Sequence, residues 1–379
     1  MIRLHPIFRI PALFALGTAL LVFLGTSLRT EAGELRRQYH STRALGMGNA
    51  ALALSYDESA LFYNPAGLAN VQETIFQLPI EVAYNSEASK QTSNIASLIT
   101  NQKTLADVLS DLKGKSLYFR TLLDFDSQFG AGGLSPNYAL AIPFGGKNSG
   151  FTIAAFYGGE QTIRFGVSSD GTQLTTESRR DHSLNLGLGF PLARGKWLLG
   201  LTAQQIERCD KPSDNTSVAS VTNLTDAICA KANLRKGQAL HAGIQRRVAM
   251  FGGLRITWAL TAHNIGTLKF SRNSGETSPV DVPPEYGFGL SLQPKLGPIR
   301  WLIAADVRDL TKAHPDDTSC KTSKSYNCWR KRMHLGAELG FFTIDESSSV
   351  LAFRYGVNQG YPTKGIELNP LIFSKSINL

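Results

Sequence analysis

The chain has 379 residues, 42% of them hydrophobic and only 18% charged, with a net charge of +9, 35 Gly and 4 Cys. This balance excludes a disordered polyelectrolyte. It also excludes a bundle of membrane helices, since no uncharged apolar run of about 20 residues lies beyond Thr30. The positive charge is dispersed, with one dense cluster at Arg330-Lys331-Arg332, so an anionic membrane surface suits it better than nucleic acid.

Residues 1–32 read as a secretory signal. Arg3 and Arg9 precede the uncharged stretch Ile10 to Leu28, and Thr30-Glu31-Ala32 before Gly33 has the small-x-small form of a cleavage site. Pro11 and Gly17 interrupt the apolar run and argue against an uncleaved anchor. An exported chain meets an oxidising compartment, where Cys209 with Cys229 and Cys320 with Cys328 are expected to close two local loops. No Cys-x-x-Cys spacing supports a metal site, and no cofactor is expected.

Residues 33–74 are rich in Gly and Ala and do not alternate. Asp57 or Ser59 can cap a short helix that Pro65 stops, Asn64 can bond neighbouring backbone, and Gly67 permits a tight bend. From Ile75 onward period two dominates, the sign of strands with two unlike faces. Phe76, Leu78, Ile80, Val82 and Tyr84 oppose Gln77, Pro79, Glu81 and Ala83; Leu184, Leu186, Leu188 and Phe190 oppose Ser183, Asn185, Gly187 and Gly189. The split recurs around Tyr138, Trp197, Ile256, Tyr286, Met333 and Leu351.

A soluble sandwich also alternates. Here the polar alternates are mostly Gly, Ala, Ser and Asn, which suits a crowded lumen. Glu81, Arg120, Asp124, Arg164, His241, His263, Asp306, Arg308, His334, Glu338 and Arg354 all fall on that polar side. A charge facing lipid costs about 2–4 kcal/mol at mid-membrane, so this discipline predicts an all-β transmembrane antiparallel barrel in a bacterial outer membrane.

Short links at 145–148, 191–196, 293–297 and 343–347 alternate with long polar ones at 208–235, 272–283 and 310–330. They read as periplasmic turns and external loops, the latter holding both cysteine pairs. Residues 150–167 and 172–190 form one long hairpin about Ser168-Ser169-Asp170-Gly171. An even total of about 14 strands is expected, with the least obvious one between Ser116 and Pro136. Helical spacing over 92–113 (Ile95, Leu98, Ile99, Leu105, Val108, Leu109, Leu112) marks an insertion, either an external helical loop or a lid or plug.

The block Arg43-Ala44-Leu45-Gly46-Met47-Gly48-Asn49-Ala50, followed by Asp57-Glu58-Ser59-Ala60-Leu61-Phe62-Tyr63-Asn64-Pro65-Ala66-Gly67-Leu68-Ala69, resembles the N-terminal signature of the FadL/PorV-like outer-membrane barrel superfamily. The resemblance implies that residues 33–74 form a hatch inside the barrel of 75–379, with Asn64, Pro65, Ala66 and Gly67 at its core. It also implies passive uptake of hydrophobic small molecules, typically long-chain fatty acids, leaving sideways through the wall. A PorV-like adaptor that anchors or presents secreted proteins is the alternative. The chain departs from the FadL pattern in its length and in its end, Ser374-Lys375-Ser376-Ile377-Asn378-Leu379, which lacks a terminal aromatic.

No G-x-S-x-G, Walker, H-E-x-x-H or Rossmann motif occurs, and a rim hydrolase built on one of the seven histidines is the weakest reading, so no enzyme is expected. Arg120, Arg164, Arg308 and Arg354 point inward by parity. Each can pair with a lumen carboxylate or hold an acyl carboxylate, so a hydrophobic small molecule or lipid is the expected partner.

Overall fold

A computed structural model describes residues 39–368 apart from 80, 85, 92–108, 123, 127–132, 136, 147–148, 219–228, 230–232, 250–253, 276–277, 297–298, 314–325 and 344–348. The expected signal segment, residues 33–38, Cys320 and the chain end therefore lie outside the described residues, as does most of the helical insertion.

The wall is one antiparallel sheet. Its early strands are β1 (Ile75–Gln77), β2 (Val82–Tyr84), β3 (Ser116–Thr121) and β6 (Tyr138–Phe144), with a separate small hairpin of β4 (Asp124–Asp126) and β5 (Gly133–Ser135) between the last two. The longest strands follow: β7 (Phe151–Val167), β8 (Gln173–Leu192), β9 (Trp197–Ser217) and β10 (Arg235–Ala249). Then come β11 (Arg255–His263), β12 (Lys269–Phe270), β13 (Glu285–Gln293), β14 (Lys295–Leu296) and β15 (Ile299–Val307). The sheet ends with β16 (Met333–Thr343), β17 (Ser349–Asn358) and β18 (Tyr361–Leu368).

The expected number of strands needs correction. The sheet holds 16 strands, yet its path β1-β6-β7-β8-β9-β10-β11-β13-β15-β16-β17-β18 occupies only twelve positions among the described residues. Several positions are built from two pieces. β3 pairs the distal half of β7 while β6 pairs its proximal half, so β3 and β6 are one wall position interrupted by residues 122–137. β11 and β12 likewise share the edge of β10. The extra strand foreseen between Ser116 and Pro136 exists as β3, but it adds no position.

The faces follow the alternation. Phe76, Leu78, Val82, Tyr84, Tyr138, Ile153, Tyr157, Leu184, Leu186, Leu188, Leu201, Leu260 and Phe288 are exposed on the outside, while Ala139, Ala141, Ser183, Asn185, Thr202, Thr257, Thr261 and Ser291 are buried inside. No described helix is long and apolar enough to cross a membrane, which leaves crossing by strands open. Aromatic pairs rim the short-turn end: Phe144 stacks on Phe151 at 5.1 Å, and Phe341 meets Phe353 edge-on at 6.0 Å.

Beyond the apolar band the β7–β9 ladder continues to Ser217, further than expected, because hydrogen bonding between strands outlasts the alternation of side chains. Cys209 therefore stands in β9, opposite Arg180, rather than in a loop; its disulfide partner Cys229 lies against Ser178, whose Oγ accepts from the Cys229 amide at 3.2 Å. Cys328, in the short helix Tyr326–Arg330, is also disulfide-bonded. Leu109 and Leu112, the described end of the helical insertion, bury Leu117, Val167 and Leu174. These share parity with outward Tyr157 and Leu184, so this described end packs on the outer face of the distal hairpin. Replacing Cys209 and Cys229 by Ser is expected to lower the stability of this distal region by about 3 kcal/mol and leave the barrel assembled. Proteolysis of the 218–234 region in non-reducing and reducing conditions, with peptide mapping of the 209–229 link, reads this out.

Candidate functional site

Residues 39–71 lie inside the curled sheet and touch it almost all the way round. Short helices α1 (Thr42–Gly46) and α2 (Ala60–Tyr63) lead to a 3-10 turn at Pro65–Asn70. Ser41 caps α1 through its side chain, bonding the Ala44 amide. Gly48 and Asn49 both take left-handed backbone angles, φ 62° and 64°, which turns the chain across the lumen.

Asn64 is the centre of the packing. Its Nδ2 donates to the Leu52 carbonyl at 2.9 Å, and its Oδ1 accepts from the Ala66 amide at 3.1 Å, capping the 3-10 turn. Asn64, Pro65, Ala66 and Gly67 are all buried. The wall makes room with glycine: a Cβ on Gly200 would lie 2.1 Å from Pro65 C, and one on Gly243 1.8 Å from Asn64 Oδ1. Polar wall residues then grip the segment's backbone. Asp306 accepts from the Ala51 and Leu52 amides at 2.7 and 2.9 Å, Gln245 donates to the Leu52 carbonyl at 3.0 Å, and His263 Nε2 lies 3.1 Å from the Tyr63 carbonyl.

The four arginines singled out by parity all meet carboxylates. Arg120 bonds Glu160 at 2.6 Å and Glu81 at 2.8 Å. Arg354 bonds Glu338 at 2.6 Å and also contacts Glu367; Arg43, from α1, closes on the same Glu338 at 2.9 Å. Arg308 lies 3.6 Å from Asp306, contacts the Asn49 carbonyl and covers the Tyr63 ring at 5.2 Å. Arg164 is the exposed member, near the long-loop end, 3.3 Å from Glu177. Sequence parity found these side chains; the cross-strand register that supplies their acids needed the fold.

A second feature was not foreseen. Both of the first two wall positions are interrupted at the same height, the first at residues 78–81 and the second at 122–137. Among the described residues β7 has no strand partner on that edge between Gln161 and Tyr157. The Asn137 side chain stands in: Nδ2 donates to the Gly159 carbonyl at 3.0 Å and Oδ1 accepts from the Gly159 amide at 2.7 Å. The Leu122 amide bonds the Glu81 carbonyl at 2.8 Å beside it. Immediately inside this gap lies an apolar cluster of Tyr39, Leu61, Phe62, Leu68, Val71, Leu122 and Phe156, with Phe62 and Phe156 edge-to-face at 4.9 Å.

Glu58 borders that cluster and accepts from Tyr39 Oη at 3.0 Å. Burial, reinforced by the Asp57 charge, pushes its carboxyl from 4.5 up to about 8. A folded-state pKa above the unfolded one favours the folded form fully below the unfolded value, and the benefit is lost as pH rises through the folded value. Packing of residues 57–63 is therefore expected to weaken between about pH 5 and pH 8. Protease accessibility of this stretch at pH 5 and pH 9 measures it, with Glu58→Gln removing most of the difference.

An antiparallel barrel with an apolar outer band, a polar inner wall and its own N-terminal segment inside defines the class: a transmembrane-type β-barrel with an occupied lumen. No protein-family model matches the chain and no curated protein does. Among solved structures it is similar to the Pseudomonas putida toluene transporter TodX, with 10% identity and a TM-score of 0.33, over 87% of this chain and 93% of that one. So distant a likeness assigns this chain neither a substrate nor a role.

Proposed function

We propose that this chain is an exported outer-membrane channel for passive uptake of hydrophobic small molecules, long-chain fatty acids among them, with residues 33–74 as its hatch. The observation that carries the reading is the alignment of an apolar aromatic cluster with a doubly interrupted wall. Cargo entering from the long-loop end meets the hatch, which blocks the axial route. The cluster of Tyr39, Phe62, Leu122 and Phe156 offers it an apolar contact beside the gap. Sideways release there requires the Asn137 clasp, the Leu122–Glu81 backbone bond and the Glu81–Arg120 contact to yield. Because Arg120, Arg308 and Arg354 already meet protein carboxylates, recognition rests on the apolar cluster, and a fatty acid and a neutral hydrocarbon are both suitable cargo.

Uptake by vesicles carrying the purified protein, with a fluorescent long-chain fatty acid and a neutral aromatic hydrocarbon as probes, tests this. Asn137→Ala leaves the Gly159 amide and carbonyl without their partner, at about 1–3 kcal/mol, and is expected to change the uptake rate severalfold without affecting assembly. Uptake no faster than in empty vesicles, together with a co-purifying secreted protein, would instead favour the adaptor.

A further inference from the structure

One outward-facing charge stands at the edge of the apolar band rather than among the lumen charges. Arg246 belongs to the outer face of β10, in step with exposed Leu240 and Val248, whereas His241, Gln245 and Arg247 alternate with it on the inner side. The register places Trp197 of β9 directly opposite Arg246 on one flank and Trp258 of β11 directly opposite on the other. The three side chains form one row across three strands. The Arg246 guanidinium carbon sits 4.7 Å above the Trp197 ring, and the two indoles meet edge-to-face at 5.4 Å.

The row stands at the short-turn end, at the first residue of β9, where Phe144–Phe151 and Phe341–Phe353 rim the same end. A charge on the lipid face is costly at the midplane and nearly free at the interface. Tryptophans concentrate at that depth, where one end of the ring is wet. Stacking on an indole covers one face of a guanidinium and fixes its plane while leaving its edge N–H groups directed outward, the fork that matches a phosphate bidentately. The β8–β9 turn directly below, Ala193-Arg194-Gly195-Lys196, adds two exposed cations and no acid.

We infer that Arg246, framed by Trp197 and Trp258, is a docking site for the phosphate of an anionic bilayer phospholipid, with Arg194 and Lys196 supplying the preference for net negative charge. The inference rests on the membrane-spanning reading above. It assigns the outer surface a lipid-selective contact, separate from any cargo in the lumen, that fixes the depth and rotation of the barrel's short-turn end.

The test is native mass spectrometry of delipidated protein offered equal phosphatidylglycerol and phosphatidylcholine, alongside insertion into vesicles of each. The parent is expected to retain phosphatidylglycerol about tenfold over phosphatidylcholine. Arg246→Gln should bring the two close to parity. Arg246→Lys, which keeps the charge but loses the planar stack, should recover only part of the preference. The paired Arg194→Ser and Lys196→Ser changes, confined to an exposed turn, should lower it about threefold. If the parent inserts into vesicles but shows no headgroup preference, or Arg246→Gln equals the parent, the lipid site is wrong and the membrane reading stands. A parent that does not insert at all removes both.

Discussion

Replacing Gly200 with Val is expected to expel the internal segment and turn a quiet barrel into a leaky one. Even the first atom of the new side chain falls 2.1 Å from Pro65 C and 2.1 Å from Pro65 O, both backbone atoms that cannot rotate away. The Pro65–Asn70 turn must leave the wall, breaking the Asn70 bonds to Gln245 and Arg247 and exposing Leu68, which is fully buried. Lost burial and hydrogen bonds together amount to about 3–5 kcal/mol. The wall ladder at Gly200, paired to Gly189 and Gly243, needs no side chain there and should form as before. Single-channel recordings in planar bilayers should therefore show larger and more frequent openings than the parent, approaching those of a chain lacking residues 34–70. Unchanged conductance in both would show that residues 33–74 do not act as a hatch.

The second large effect is expected at Asp306. This carboxylate is buried; it accepts two backbone amides of the N-terminal segment and lies beside Arg308, itself only 2% exposed. Asp306→Ala leaves two buried amides without their acceptor and removes the carboxylate beside a buried guanidinium, a loss of about 3–5 kcal/mol. Thermal unfolding followed by loss of heat-modifiable gel migration should register it. Asp306→Asn should fall between, since an amide oxygen still accepts while the charge is gone. A thermal midpoint of Asp306→Ala equal to the parent's would show that this contact does not hold the segment in place.

The sequence disclosed the barrel because each strand has one face in an apolar medium and one among small polar groups, and a period of two survives without any knowledge of pairing. It disclosed the inward arginines for the same reason. The acids they meet were not legible: Glu160 reaches Arg120 only because β3 sits beside the distal half of β7, a register that residue spacing does not encode. The interrupted wall was missed because alternation runs unbroken from Phe76 to Tyr84 although the strand is broken after Gln77, and because the two pieces of the second position lie apart in sequence. Arg246 was missed because a lipid-facing charge at the rim obeys depth, and depth is invisible before the turns are placed. The N-terminal segment's composition announced something unlike a strand; its residue-by-residue fit against wall glycines appears only once the sheet curls.

The contacts of α1 bear on the order in which the molecule can be built. Gly46 lies against Gly365, and Thr363 Oγ1 accepts from the Gly48 amide at 2.9 Å while donating to the Gly46 carbonyl at 3.2 Å. Residues of the N-terminal segment thus meet residues of the last described strand, and every other described strand lies between them in sequence. Contacts of such long sequence separation form slowly, because the loop must close before any of its interactions repay the lost freedom. The segment fits closely against wall glycines on many strands, so it is expected to wait at the first strands while the later ones close around it. β18 then completes its pairing with β17 against a surface that α1 already provides. The interior occupant is thereby also a mould, and a chain that loses it should assemble its final strand more slowly even where the finished wall is equally stable.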